Sequence, residues 1–512
     1  MDRHILPPWI PGTFAVVLTL SAQALPTAAS EEPTSAEAPE EARVTRIEQG
    51  LLPAVHLRDH KAGAMSLHDR LDHYRASALS LAVIDDLEVT WARAWGTVAL
   101  DREEQVTPES LFQAGSVSKS VAALVTAALV RKGELTLDQP VASLLDARPE
   151  VRAALGDRVF LRHLLAHTAG LPPYSWRGWY RDEELPSTAE MLSEAEIAPT
   201  RPPGEAVLYS NTGYLLLQLA IEDATGRPFA RVAGDELFSP LRLERSSFAE
   251  PLPKRLWDSA VWGHYQGEPI RGKGRMYPAA PGGLWTTAPD LARVLAEILR
   301  AAADRGSAVV PAGIARAMLT PTSSGTDRTL GWSLEWEGEE ARILGAGRVA
   351  GFTAYAVGFP ARGQGLVVMS NSHGGHALNL EVARAVAAEY GWPGFLVERD
   401  VVHLSEEELG RFEGRFKYEV PAGLTITFTA RDGKLYGRTG DNPEWEAVPI
   451  GEREFTTPGS DAVIRFEVDG TGRATGFRIG IPGGSWTEVS RVEPEGGGEA
   501  DGASSPRRSQ AH

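Results

Sequence analysis

Residues 113 to 120 read Gln-Ala-Gly-Ser-Val-Ser-Lys-Ser, which places Ser116 three positions before Lys119 at the start of a long apolar stretch. On a helix, positions i and i+3 share a face, so the lysine amine can approach the serine hydroxyl. A serine hydroxyl is a weak nucleophile unless a base takes its proton. A lysine desolvated by apolar neighbours near the positive end of a helix gives up its own proton more readily. The pair therefore reads as a nucleophile with its base. Ordinary Ser and Lys usage produces a bare Ser-x-x-Lys on the order of once in a chain this long, so spacing alone leaves a structural reading open. Context narrows it: Gly115 precedes the serine, and Val117, Val121, Ala122, Ala123, Leu124 and Val125 follow. A helix this apolar is buried on most sides, and a lysine at its start must be paired, neutral or functional.

The elements that must hold this pair can be read around it. Residues 79–84 and 88–95, with Asp85-Asp86 between them, predict a strand hairpin. Helical periodicity then runs to about residue 230. It includes 161–166, ended by His167-Thr-Ala-Gly-Leu-Pro-Pro173, and the apolar 214–221. Strand patterns return at 331–336, 354–358 and 365–369, followed by a helix near 380–390, so residues 44–398 are expected to form an α+β unit. From about residue 405 the period becomes two. Leu424-Thr-Ile-Thr-Phe-Thr alternates, Asp432-Gly433 makes a hairpin turn, and short strands follow at 454–456, 463–468 and 474–481. Residues 405–492 thus predict a small all-β module, and 493–512, poor in large apolar residues, a disordered tail.

Composition excludes several classes of function. The 512 residues, 43% hydrophobic and 23% charged, are ordinary for a globular chain and sufficient for one large core plus a smaller module. No uninterrupted apolar run reaches the roughly 18 residues of a membrane span. A formal net charge of −17 argues against nucleic acid as a partner, because binding phosphates requires clustered cations. The absence of cysteine excludes disulfides, thiolate catalysis and cysteine-held metal. At the N-terminus Arg3, an apolar stretch over 14–20 and small residues at 22–24 or 27–29 read as a secretory signal peptide, 1–29. The thin basic region and Pro7, Pro8 and Pro11 leave a structural or disordered tail as the other reading. Residues 30–43, rich in Glu, Pro, Ala and Ser, read as a linker.

A second chemical element is Tyr209-Ser-Asn211, followed by Thr212-Gly-Tyr214. With Phe112-Gln-Ala-Gly-Ser-Val-Ser-Lys119, Leu164-Leu-Ala-His-Thr-Ala-Gly-Leu171 and Pro281-Gly-Gly-Leu-Trp-Thr-Thr287, it resembles the serine β-lactamase and penicillin-binding superfamily. The similarity is to the branch holding class C β-lactamases, D-amino-acid peptidases and β-lactamase-like esterases, over about residues 50–395. It implies an antiparallel sheet flanked by helices with a helical lobe, and a small barrel-like module after it. It also implies that Ser116 is acylated, that Lys119 is its base partner, and that Tyr209 acts as phenolate or relay. Asn211 would then hold the substrate and the Lys119 amine. A phenol beside an ammonium can share one proton with it; outside the resemblance, Tyr209 reads as a packed tyrosine.

The family's third element, a basic residue and two neighbours on a strand facing the serine, aligns with Gly345-Ala346-Gly347, fixed by Gly351-Phe352. The basic residue is missing. Gly347 still allows close backbone approach, and the resemblance makes the N–H groups of Arg348 and Ser116 the oxyanion hole. The Arg348 or Arg342 side chain would have to supply the lost charge. Tyr174, Trp176, Trp179 and Tyr180 read equally as core or as a substrate wall. His373 and His376 have a ligand-like spacing but no third partner nearby, so they read as a loop turn. His167 reads as part of a turn shaping the pocket floor, and residues 337–340 as a solvated turn.

The sequence therefore predicts a secreted or periplasmic serine hydrolase that forms an acyl-enzyme on Ser116 without cofactor or metal. Its substrate would be a small ester, amide or peptide, including D-amino-acid-containing ones, cleaved as by an esterase or a peptidase/amidase. Two alternatives stay open: a β-lactamase or penicillin-binding carboxypeptidase using another cation, and a non-catalytic penicillin-binding or sensor protein.

Overall fold

The computed structural model describes residues 40–58, 65–145, 148–322, 327–336, 338–418, 424–440, 444–457, 460–480 and 486–492. The signal-peptide and tail expectations, and linker residues 30–39, lie outside these. The remaining linker positions differ from expectation: Glu40 opens a helix, α1 (Glu40–Gln49), whose acidic first turn suits the positive helix end and whose Val44 and Ile47 are buried. The described residues divide into two compact units, 40–56 with 65–397, and 57–58 with 398–492.

The first unit is built on β1 (Ala78–Asp85) and β2 (Glu88–Gly96), then the helices α2 (Val117–Arg131), α3 (Leu161–Leu165), α4 (Asn211–Thr225), α5 (Ala279–Gly282) and α6 (Ala288–Ala302). It ends with β3 (Ser333–Glu335), β4 (Arg342–Val349), β5 (Phe352–Phe359), β6 (Gln364–Ser370) and α7 (His376–Tyr390). The strands form one six-stranded sheet in the order β3-β4-β5-β6-β1-β2, antiparallel throughout. The β1–β2 turn falls on Asp86 and Leu87, both at positive φ (48° and 65°), one residue later than expected. That is the geometry a two-residue hairpin uses to match strand twist.

The sheet is buried on both faces, which is why β1 reads as a continuous apolar run. Ala78, Ala82 and Ile84 join the core that holds α2 and α6, whereas Leu79, Leu81 and Val83 join the one that holds α1 and α7. Helix α5 packs against both α2 and α4, and all but two residues of α2 are buried. Lys119 is among the buried ones, so the fold places an amine where only specific partners make it tolerable.

The second unit is a closed barrel of eight strands, Gly414–Tyr418, Thr425–Arg431, Lys434–Thr439, Trp445–Pro449, Glu454–Thr457, Ser460–Val468, Ala474–Gly480 and Trp486–Arg491. Each pairs with the next, and the first closes on the last. Phe416, Phe428, Phe455, Phe466 and Phe477 fill the interior, with Phe428 and Phe466 ring centroids 5.1 Å apart. A barrel of eight strands is just wide enough for side chains to fill, and here they do.

Candidate active site

The nucleophile candidate sits on a tight turn between a short strand and a helix. Phe112–Gln113 pairs with Trp285–Thr286, Gly115 takes φ +53°, and Ser116 is the N-cap of α2. An N-cap serine ordinarily spends its hydroxyl on the first turn. Ser116 makes no such bond. Its Oγ instead meets Lys119 Nζ, which donates at 3.2 Å, and Tyr209 Oη, at 2.9 Å. Lys119, 3% exposed, also donates to the Pro281 carbonyl at 2.6 Å. The segment 281–287 thus contributes a carbonyl that orients the amine, a role not visible in its sequence.

Tyr209 is set by the turn at His167, which takes φ +58°. Leu208 N–H donates to the His167 carbonyl at 2.8 Å, and Ser210 N–H to His167 Nδ1 at 3.1 Å, with the His167 and Tyr209 rings 4.4 Å apart. Burial, then the cations of Arg328 and Lys119, push His167 well below its ordinary pKa, consistent with a neutral ring whose Nδ1 accepts. For Tyr209 burial acts upward, but the residue is 39% exposed. The Lys119 charge, the hydrogen bonds to Lys119 and Ser116, and the Arg328 charge outweigh it and hold the phenol below its usual value. Lys119 Nζ lies 5.0 Å from the Tyr209 ring centroid.

The strand facing this turn is β4. A Cβ at Gly347 would lie 2.0 Å from the Ala114 carbonyl oxygen and 2.9 Å from Ser116 N, and one at Gly115 only 2.7 Å from Arg348 N. These glycines let the Ala114–Ser116 turn and β4 approach closely, which leaves the Ser116 and Arg348 backbone nitrogens near the contact. The side-chain expectations for the missing charge do not hold. Gly347 and Gly345 pair with Ala354 and Ala356, on the α2 face, whereas Arg348 pairs with Thr353 on the α7 face, where its charge is felt by His373 and His376. Arg342 is buried and ion-paired to Glu335 at 2.5 Å, so its charge is already committed. Gly345 is itself covered: a Cβ there would lie 3.1 Å from the Trp332 indole.

Asn211 also departs from expectation. Its Nδ2 donates to the Tyr174 carbonyl at 2.8 Å and to Ser175 Oγ at 3.4 Å, so it ties down the aromatic segment, and the Lys119 amine turns to Pro281 instead. Tyr174 thereby stands next to the Tyr209 loop, its ring 5.1 Å from that of Trp176. Trp179 and Tyr180 pair with Met276 and Arg275. Among the described residues no group of three His, Asp or Glu side chains is placed to hold a metal. The residue that sequence reasoning missed is Arg328, whose guanidinium lies 6.0 Å from the Tyr209 ring centroid.

Comparison with known proteins agrees with this fold. The Beta-lactamase family model matches residues 65–390. Over 175 residues the chain is 31% identical to Penicillin-binding protein 4 of Amycolatopsis lactamdurans, covering 34% of this chain and 45% of that protein. It is 30% identical over 202 residues to Esterase EstB of Burkholderia gladioli, covering 36% and 50%. The chain spans about half the length of these relatives. Among solved structures, the octameric penicillin-binding protein homologue from Pyrococcus abyssi shares the fold at TM-score 0.55 and 21% identity, over 83% of this chain and 98% of that one. With the Ser-x-x-Lys turn, the tyrosine loop and the glycine strand converging within one family match, the chain belongs to the beta-lactamase family.

Proposed function

We propose that the protein is a serine hydrolase that forms an acyl-enzyme on Ser116 and acts as an esterase or a peptidase/amidase on small or D-amino-acid-containing substrates. One observation carries this reading: Ser116 Oγ meets both Lys119 Nζ and Tyr209 Oη, at 3.2 and 2.9 Å, instead of capping its own helix. With Tyr209 ionised, the same separation lets the phenolate oxygen accept the serine proton as Oγ bonds to the substrate carbonyl carbon. The N–H groups of Ser116 and Arg348 then receive the oxyanion. Collapse expels the alcohol or amine, which takes the proton back from Tyr209. Water attacks the ester by the same route, giving the acid and free Ser116. Lys119, anchored on the Pro281 carbonyl, stays within hydrogen-bond reach of Ser116 beside the phenolate.

Trp332 over Gly345 weighs against binding a β-lactam carboxylate at that strand position and so favours esters and amides over β-lactams. Residues 1–29 support export to the periplasm or beyond, which fractionation of the expressing cell would test. The substrate reading is tested by comparing p-nitrophenyl acetate with a chromogenic cephalosporin. Rapid ester turnover with negligible cephalosporin hydrolysis is expected. Efficient cephalosporin hydrolysis would replace the reading with a β-lactamase.

A further inference from the structure

The strap from Asp327 to Ser333 lies on the helix that carries the nucleophile. Ser120 Oγ donates to the Gly331 carbonyl at 2.6 Å, and Gly331 N–H donates to the Leu165 carbonyl at 3.1 Å. A Cβ on Gly331, at φ +90°, would fall 2.4 Å from the Ala123 methyl, so only glycine lets the strap lie this close to α2. Thr322 N–H donates to the Arg328 carbonyl at 2.9 Å, fixing the other end. Two consequences follow from this seating. Trp332 covers Gly345, closing the strand position where the resemblance expects a cation. Arg328, four residues earlier on the same strap, presents its guanidinium to the Tyr209 ring at 6.0 Å.

We propose that Arg328 is a positioning residue that replaces the cation missing at Gly345, its charge stabilising the Tyr209 phenolate so that Tyr209 can accept the Ser116 proton. The proposal rests on the acyl-enzyme reading for its use in catalysis, but the charge interaction itself does not. The groups that face Tyr209 are Lys119 from α2, His167 from the turn after α3, Tyr214 from α4, and Arg328 with its ion-pair partner Asp327, 3.6 Å away. Burial keeps His167 neutral and, acting first on Tyr214 as well, raises that phenol so that it stays un-ionised. The charges that act on Tyr209 are therefore those of Lys119 and Arg328. A single opposite charge at such range shifts a titration by about one pH unit.

The test is an ultraviolet difference titration of phenolate absorbance. Because the chain has 11 tyrosines, each protein is measured against the same protein carrying Tyr209→Phe. Arg328→Gln should move the Tyr209 titration up by about one pH unit, and Arg328→Lys should largely retain it. The acid limb of kcat/KM for p-nitrophenyl acetate should move with each. An unmoved titration in Arg328→Gln overturns the proposal. If that variant does not fold, Arg328→Met decides it, since an unmoved titration there overturns the proposal equally. The absorbance readout needs no turnover. A titration that responds to Arg328 in a protein without esterase activity would sink the hydrolase reading alone, whereas an active enzyme whose Tyr209 ignores Arg328 would sink this inference alone.

Discussion

The Ser116 end of the sheet unit and the barrel interior are both densely packed, but with opposite contents. The barrel is filled by phenylalanines from five of its strands, its polar backbone satisfied by the ladder, and its core cluster among the described residues is hydrophobic. At Ser116 the dense packing is of backbone on backbone. Gly115, Gly347 and Gly331 remove side chains so that polar atoms from α2, β4, α5 and the Tyr209 loop can meet. The difference teaches that close packing serves stability where side chains fill space, and chemistry where glycine vacates it.

Substitutions that exploit this contrast should be ranked by their effect on turnover. Ser116→Ala should lower ester hydrolysis by roughly 10⁴-fold or more while leaving the melting temperature near that of the parent, measured by steady-state kinetics and calorimetry. Tyr209→Phe should cost about 10²–10⁴-fold. On the proposed mechanism the base is the ionised phenol, so kcat/KM in the parent should rise with pH through a limb that lies below the ordinary phenol value of 10.0. Tyr209→Phe should abolish that limb, and a pH profile that keeps it would assign it elsewhere. Gly347→Ala should cost about 10²–10³-fold, because its methyl would push β4 off the Ala114 carbonyl and misplace the Arg348 N–H. Phe466→Ala, in the barrel, should show the reverse: about 3–5 kcal/mol of barrel stability lost in denaturant unfolding, with ester turnover per folded molecule unchanged. Lost activity at full stability in this last variant would break the contrast between the two regions.

The parts legible in the sequence were those written in local chemistry. The β1–β2 hairpin, the Asp432-Gly433 turn, both at positive φ, and the Ser116–Lys119 spacing all depend on residues adjacent in the chain. The barrel strands at Gly414–Tyr418, Trp445–Pro449 and Trp486–Arg491 were not anticipated, because glycine, proline and outward charges dilute their alternation. Sequence also could not assign Asn211 to Tyr174, Lys119 to Pro281 or Arg328 to Tyr209, because each pairing joins residues far apart in the chain. Arg342 and Arg348 show the same limit from the other side. Both lie near the site in sequence, yet one is paired to Glu335 and strand alternation sends the other to the far face.

The most direct test of the account is the intact mass of the protein after incubation with a fluorophosphonate, beside the Ser116→Ala variant. A single adduct on the parent, absent from Ser116→Ala, is the predicted result. An unmodified parent, or an adduct that persists in Ser116→Ala, would contradict an activated Ser116.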